Sequence, residues 1–184
     1  MFRRRGLMRP FRRRLAPDIP PLLQRANELI AKGNYSAAAE AFEQLAHAAL
    51  SRRGPRTPMF FLQAGRARIL NGQASLGVEN FKQSLSIFAS QAQWPRLQQV
   101  DQRTVMELNE RGFAAEAKEL EEFLKSRVPA GYVPPPQPPA PAKKPVLPTH
   151  CPACGGGLRP DEVEWLDEVT AECAYCGSPV RGES

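Results

Sequence analysis

Apolar residues recur every three to four positions through the middle of the chain, from about residue 20 to residue 127. This region is rich in Ala, Leu, Glu and Gln, and its prolines stand at or near the starts of the periodic runs. Such a pattern is typical of amphipathic α-helices. We predict a mainly α protein with three helix pairs, over about 20–32 with 35–51, 58–71 with 74–90, and 95–110 with 114–126.

The helical region has an internal repeat. Gly33, Gly72 and Gly112 each follow an amphipathic run, at separations of 39 and 40 residues. Glycine suits a helix C-terminus because it adopts a left-handed backbone without a Cβ penalty. A small residue stands five positions after each glycine, and an aromatic residue follows one turn later in the first two repeats. These residues are Ala38, Gly77 and Ala117, and Phe42 and Phe81.

Over roughly residues 20–127 this pattern resembles the tetratricopeptide repeat (TPR) family. The matching residues are Ala26, Gly33, Tyr35, Ala38 and Phe42, then Gly65, Gly72 and Phe81, then Gly112 with Ala117. The period exceeds the family's usual length of about 34 residues, and Glu121 stands where an aromatic residue is expected. The resemblance implies TPR-like stacked pairs with a groove that binds a peptide. The alternative is an ordinary helical bundle whose glycines merely stop helices.

Two copies of Cys-x-x-Cys-Gly lie near the end of the chain, with 18 residues between Cys154 and Cys173. Two residues between thiolates let one tight turn present both sulfurs to a single ion, and the following glycine permits a positive φ. Two such turns complete a tetrahedral site. We therefore predict that one structural Zn²⁺ is bound by four ligands, which are Cys151, Cys154, Cys173 and Cys176.

The residues between the two cysteine motifs predict a β-hairpin. Val163–Leu166 would form the first strand, Asp167 and Glu168 the turn, and Val169–Cys173 the second strand. Trp165 is expected to shield the small core beside the metal. The module resembles the zinc ribbon family across residues 150–180. Disulfides, a rubredoxin-like iron site and a redox dithiol pair are alternatives for the same cysteines. His150 is a further candidate ligand, although four thiolates already fill the site.

Proline marks the boundary between the helical region and the ribbon. Residues 128–150 contain nine prolines, which predicts a semi-rigid polyproline spacer that holds the ribbon at a distance. The predicted organisation is a disordered Arg-rich arm over 1–19, the helical repeat domain over 20–127, the Pro-rich linker over 128–150 and the zinc ribbon over 151–184.

The net charge of +6 comes mostly from the N-terminal arm. Its seven arginines are Arg3, Arg4, Arg5, Arg9, Arg12, Arg13 and Arg14. These guanidinium groups could bind RNA, an anionic membrane surface or the acidic ribbon, or they could belong to a solvated tail. The ribbon itself has two basic and seven acidic residues, so it is poorly suited to phosphate contacts.

Catalytic motifs are missing from the sequence. It has no Gly-Lys-Ser/Thr phosphate loop, no dinucleotide-binding glycine pattern and no nucleophile with an evident base, so we predict no enzymatic activity and no small-molecule substrate. No apolar stretch approaches the ~20 residues of a membrane span, and no signal-peptide core follows the basic start. We predict a cytoplasmic protein–protein interaction adaptor of unidentified partner, with a nucleic-acid-associated factor as the alternative.

Overall fold

The computed structural model describes residues 19–129, 132, 145–160 and 163–183. Within these ranges the chain forms six α-helices and a small three-stranded antiparallel sheet, which confirms a mainly α protein. The seven arginines of the predicted arm and most of the predicted linker lie outside the described residues. The elements are α1 (Pro21–Ala31), α2 (Tyr35–Ser51), α3 (Thr57–Leu70), α4 (Ala74–Ser90), α5 (Trp94–Glu110), α6 (Ala114–Arg127), β1 (Glu164–Trp165), β2 (Thr170–Glu172) and β3 (Pro179–Arg181).

The first helix of each pair ends in the same way. Gly33, Gly72 and Gly112 have φ values of +73°, +75° and +83°, in the left-handed region. Each glycine donates its N–H to the carbonyl three residues back at 3.0 Å, and the next residue donates to the carbonyl five back at 2.9 Å. This is the Schellman arrangement, which satisfies carbonyls that the helix end would leave open. The predicted helix pairs are present with ends within one residue of those expected.

The central helix is α3, which is buried on almost every side from Thr57 to Ile69. A helix that is buried on all sides must be surrounded by other elements. Around α3 these elements are α2, α4 and the ribbon. Two glycines allow α3 and α4 to pack closely. A Cβ on Gly65 would overlap the ring of Phe81, and one on Gly77 would lie 2.6 Å from Cδ1 of Ile69.

A polar network ties the second pair to the first. Arg68 on α3 donates to both carboxylate oxygens of Glu43 on α2, at 2.9 and 2.7 Å. The Nδ2 of Asn80 on α4 donates to the same carboxylate at 3.0 Å. Bidentate guanidinium–carboxylate pairs fix orientation as well as distance, so three successive helices share one polar anchor.

The ribbon is a sheet in the order β1-β2-β3 with antiparallel pairing throughout. The predicted hairpin is β1 and β2, with Trp165 opposite Ala171. Its turn is held by Asp167, whose Oδ1 accepts the N–H groups of Val169 at 2.9 Å and Thr170 at 2.7 Å. The third strand was not predicted, because it has only three residues, beginning with Pro179, and is too short for a recognisable alternation of apolar and polar residues.

The ribbon packs directly against the helices, which differs from the expectation that the linker holds it at a distance. Buried residues of α1, α2, α3 and the ribbon form one continuous apolar cluster. Phe60 on α3 and Tyr175 in the ribbon both belong to it. Burial of this shared surface stabilises contact between the two parts. The cluster includes Leu23, Ala26, Phe42, Leu45, Phe60, Phe61, Leu147, Leu158, Ala171, Tyr175 and Val180.

Candidate metal centre

The structure brings the four cysteines together at the base of the ribbon. Their sulfurs all lie within 4.8 Å of one another. The Sγ atoms of Cys151 and Cys176 are 3.7 Å apart, and those of Cys154 and Cys173 are 3.9 Å apart. Tetrahedral ligands at ~2.3 Å from a zinc ion would be separated by about 3.8 Å. The cluster therefore has the spacing to hold one metal ion, and that spacing is compatible with zinc.

Two matching backbone turns position the sulfurs. In each turn the first cysteine donates its N–H to the carbonyl five residues on, at 2.8 Å from Cys151 and 2.9 Å from Cys173. The glycine after each second cysteine donates back to the first cysteine's carbonyl, at 2.9 Å from Gly155 and 2.8 Å from Gly177. Both glycines have φ of +73°. The repeated motif in the sequence thus becomes a repeated geometry, since only glycine adopts this backbone without penalty.

The cluster is closed to solvent. Cys151, Cys154, Cys173 and Cys176 are 2, 2, 0 and 4 % exposed. All four are free thiols, and the shortest separation above far exceeds the ~2.05 Å of a disulfide bond. His150 is exposed and is not part of the cluster; its ring Nδ1 lies 3.0 Å from Oγ1 of Thr149. The four sulfurs alone are enough to surround an ion, which is the arrangement of structural sites.

Packing of the thiols against one another shifts the pKa values of Cys154 and Cys176 in opposite directions. Hydrogen bonds from Cys154 and Cys173 lower the pKa of Cys176. Hydrogen bonding to Cys173 and Cys176, together with burial, raises the pKa of Cys154. A divalent cation held by these sulfurs would take the place of the shared protons, because a coordinating thiol is deprotonated outright. Metal binding must therefore release protons and weaken as the pH falls.

Helices α1 and α3 support the ribbon with polar contacts. The Nδ2 of Asn27 donates to the carbonyl of Cys154 at 2.8 Å, and both partners are buried. The Nε2 of Gln24, one turn earlier, donates to the carbonyl of Ala153 at 3.3 Å at the exposed edge. At the N-cap of α3, Arg56 pairs with Glu172 of β2 at 3.3 Å. The first cysteine motif is thus anchored to α1 by its backbone.

The sequence analysis missed these supporting residues. The position of Asn27 could have indicated a buried polar group, because it lies within the apolar stripe that Leu23, Ala26 and Ile30 form on α1. A buried polar group requires a partner, but the sequence cannot say where the partner lies. Trp165 contacts the shared apolar cluster as expected, although it is only partly buried, and its Nε1 donates to the carbonyl of Pro160 at 3.2 Å.

Comparison of the chain with models of known protein families, with curated proteins and with solved structures gave no match. The capacity of the four cysteines to hold a metal ion and the helical architecture are therefore inferred from the chain's own geometry. Over the part of the chain that the structure describes, each helix is too short or too polar to cross a bilayer.

Proposed function

We propose that this chain is a non-enzymatic adaptor that binds another protein, and that its four cysteines hold one structural zinc ion. The observation that carries the proposal is the closed Cys₄ cluster, buried in a ribbon whose core continues into α1–α3. A site with four protein ligands has no open position for substrate. Its metal acts on the shape of the surface around it. Tetrahedral sulfur also suits iron, so metal identity is part of the proposal.

The TPR-like interpretation draws support from the three matching helix ends and from the buried small residues. Ala38 and Ala117 are 0 and 2 % exposed, and Phe42 and Phe81 are each 1 % exposed. Stacked pairs of this kind align the first helix of each pair along one side, where a partner segment can bind. Residues of α1, α3 and α5 share one cavity wall opposite the ribbon, and Phe42 of α2 also lines it. The adaptor's binding surface would then combine helices and ribbon.

The rival function is a nucleic-acid-associated factor, favoured by the seven arginines of residues 1–19. Contacts of guanidinium groups with phosphates weaken steeply with salt. Anionic membranes would be bound through the same residues and for the same electrostatic reason. The ribbon adds little to either binding mode, because Glu164, Asp167 and Glu168 are all exposed on it.

The test is affinity capture of the full chain from its native lysate, with and without nuclease, at ~50 and ~200 mM salt. We expect a defined protein partner that survives both treatments and is retained when residues 1–19 are deleted. Cys154→Ser should release it, because the first cysteine turn and the surface it supports would no longer be ordered. A partner set that disappears with nuclease or with the deletion would replace the adaptor function with the electrostatic one.

A further inference from the structure

Both cysteine turns contact the helical region at the glycine that follows their second cysteine. Gly155 closes the first turn and Gly177 closes the second, each with φ of +73°. A Cβ placed on Gly155 would lie 3.8 Å from Cβ of Asn27 on α1. A Cβ placed on Gly177 would overlap the guanidinium group of Arg56, with Cζ 2.6 Å away. Each of the two matching turns therefore has one supporting residue outside the ribbon.

At the first turn, the support acts on a cysteine of the cluster. The Nδ2 of Asn27 donates to the carbonyl of Cys154 at 2.8 Å, and Asn27 is 7 % exposed. The same peptide unit carries the N–H of Gly155, which donates to the carbonyl of Cys151 at 2.9 Å. Asn27 thus holds the peptide unit whose hydrogen bond closes the turn, so the orientation of the turn depends on α1.

At the second turn, the support reaches the chain on both sides of the cysteine pair. The Nη2 of Arg56, at the N-cap of α3, donates to Oε1 of Glu172 at 3.3 Å. Glu172 immediately precedes Cys173, the first cysteine of this turn. The contact with Gly177 comes immediately after the second cysteine. One guanidinium group therefore brackets the second cysteine pair.

The cysteines also take part in the apolar contact between ribbon and helices. All four belong to the cluster that contains buried residues of α1, α2 and α3. The apolar shell around a metal site controls the access of solvent to the ligands. Separation of the ribbon from the helices would therefore expose the sulfurs as well as the apolar side chains.

We propose that the helices are part of the metal centre, and that Asn27 and Arg56 are positioning residues that hold the two cysteine turns in the metal-binding geometry. The inference rests on the metal-binding part of the proposed function and extends it. Groups outside the ligand set orient the ligands, and their loss typically weakens metal binding by roughly 10–100-fold. Such coupling is reciprocal. Metal binding therefore tightens docking of the ribbon by the same factor, and a partner that lifts the ribbon from the helices lowers the affinity for zinc.

The test measures the zinc affinity and the zinc release rate of the full chain by competition with a chromophoric chelator. Asn27→Ala and Arg56→Ala each remove one support and leave the four cysteines in place. Gln24→Ala and Arg52→Ala are matched controls, because Gln24 contacts the first turn through an exposed bond and Arg52 is exposed at the C-cap of α2. Leu120→Val controls for a general loss of stability, because Leu120 is buried on α6 in an apolar cluster that contains none of the cysteines.

We expect Asn27→Ala and Arg56→Ala each to raise the apparent dissociation constant for zinc roughly tenfold or more and to speed zinc release. The three controls should bind zinc as the parent does, and circular dichroism should show helices in every variant. Equal affinity in the parent, Asn27→Ala and Arg56→Ala, or an equal loss in Leu120→Val, would overturn this proposal and leave the zinc site itself in place. A parent chain that binds no zinc would overturn the proposed metal site as well.

Discussion

Replacement of Asn27 by alanine tests whether the ribbon is docked on α1 as the structure describes. Asn27 is 7 % exposed and donates to the backbone carbonyl of Cys154 at 2.8 Å. Asn27→Ala removes the donor and leaves that carbonyl buried without this partner. The change acts on the ribbon from a helix more than 120 residues away in sequence, so its effect depends entirely on the tertiary contact.

The expected cost follows from the burial of the bond. An unsatisfied buried acceptor costs ~1–3 kcal/mol, while alanine has a higher helix propensity than asparagine by roughly 0.5 kcal/mol. The two effects oppose each other, so we expect a net loss of about 1.5 kcal/mol. In a chain of this size that loss corresponds to a fall in melting temperature of roughly 3–6 °C.

The assay is thermal and urea unfolding of the zinc-loaded full chain, followed by helical circular dichroism. Gln24→Ala is the matched control, because Gln24 lies one turn earlier on α1 and reaches the same cysteine turn through an exposed bond of 3.3 Å. Its cost should stay within ~0.5 kcal/mol. Asn27→Asp is a second variant of the same size that replaces the donor with an acceptor, and it should cost at least as much as Asn27→Ala.

Removal of the metal provides the internal check. A chelator should disorder the cysteine turn, so the difference between Asn27→Ala and the parent should shrink when both are metal-free. If Asn27→Ala and Gln24→Ala cost the same in the zinc-loaded protein, or if the cost of Asn27→Ala is unchanged without metal, the docked arrangement is wrong.

Three further predictions concern the helix ends, a buried carboxyl group and the metal. Gly72→Ala should lower the free energy of unfolding by ~1–2 kcal/mol, because an alanine at φ of +75° is strained; the added Cβ would meet no atom within 4 Å, so no clash adds to this cost. Ala92→Gly, at φ of +53°, should raise the free energy of unfolding by up to a similar amount. Urea unfolding measures both changes. Burial, with a smaller contribution from Glu121, raises the pKa of Asp101 from 3.8 to about 6. The folded state therefore holds this proton more tightly, and its stability falls as the pH rises through that interval. Asp101→Asn should thus stabilise the protein by ~1–3 kcal/mol at pH 7 and leave it unchanged below pH ~4, and an equal gain at both pH values would contradict this reasoning. Titration with Co²⁺ should show one tetrahedral thiolate site that weakens as the pH falls and is lost in Cys154→Ser.

The helices were predictable from sequence because their signals are local. Apolar periodicity located six helices, and the glycines at 33, 72 and 112 marked three of their ends. The second helices of the first two pairs have no glycine at the corresponding position; instead Arg53 and Ala92, two residues beyond the last helical residue, take positive φ values of 52° and 53°. Arginine and alanine rarely adopt a left-handed backbone, so the turns that follow α2 and α4 could not be predicted from the sequence.

The position of the ribbon was not predictable, because it depends on which apolar faces remain uncovered after the helices pack. The proline-rich composition of residues 128–150 indicated a spacer, and composition alone gives no information on where a tethered module binds. The clustering of the four cysteines was predictable, since their spacing encodes a local turn. The hydrogen bond from Asn27 to the carbonyl of Cys154 was not predictable, because every residue has a backbone carbonyl and the sequence does not indicate which one Asn27 contacts.

Docking of the ribbon changes what an adaptor of this kind would present to its partner. A groove formed by the helices alone would require the ribbon to leave, which would expose large apolar side chains such as Phe60 and Tyr175 that are now 7 and 8 % exposed. Exposing one such side chain costs roughly 1.5–3 kcal/mol, so displacement of the whole contact is unfavourable unless the partner covers the same surface. A partner is therefore expected to bind the composite surface of helices and ribbon. Because a bound metal would hold the ribbon in shape, we expect its loss to remove the ribbon's part of that surface while leaving the helices able to form.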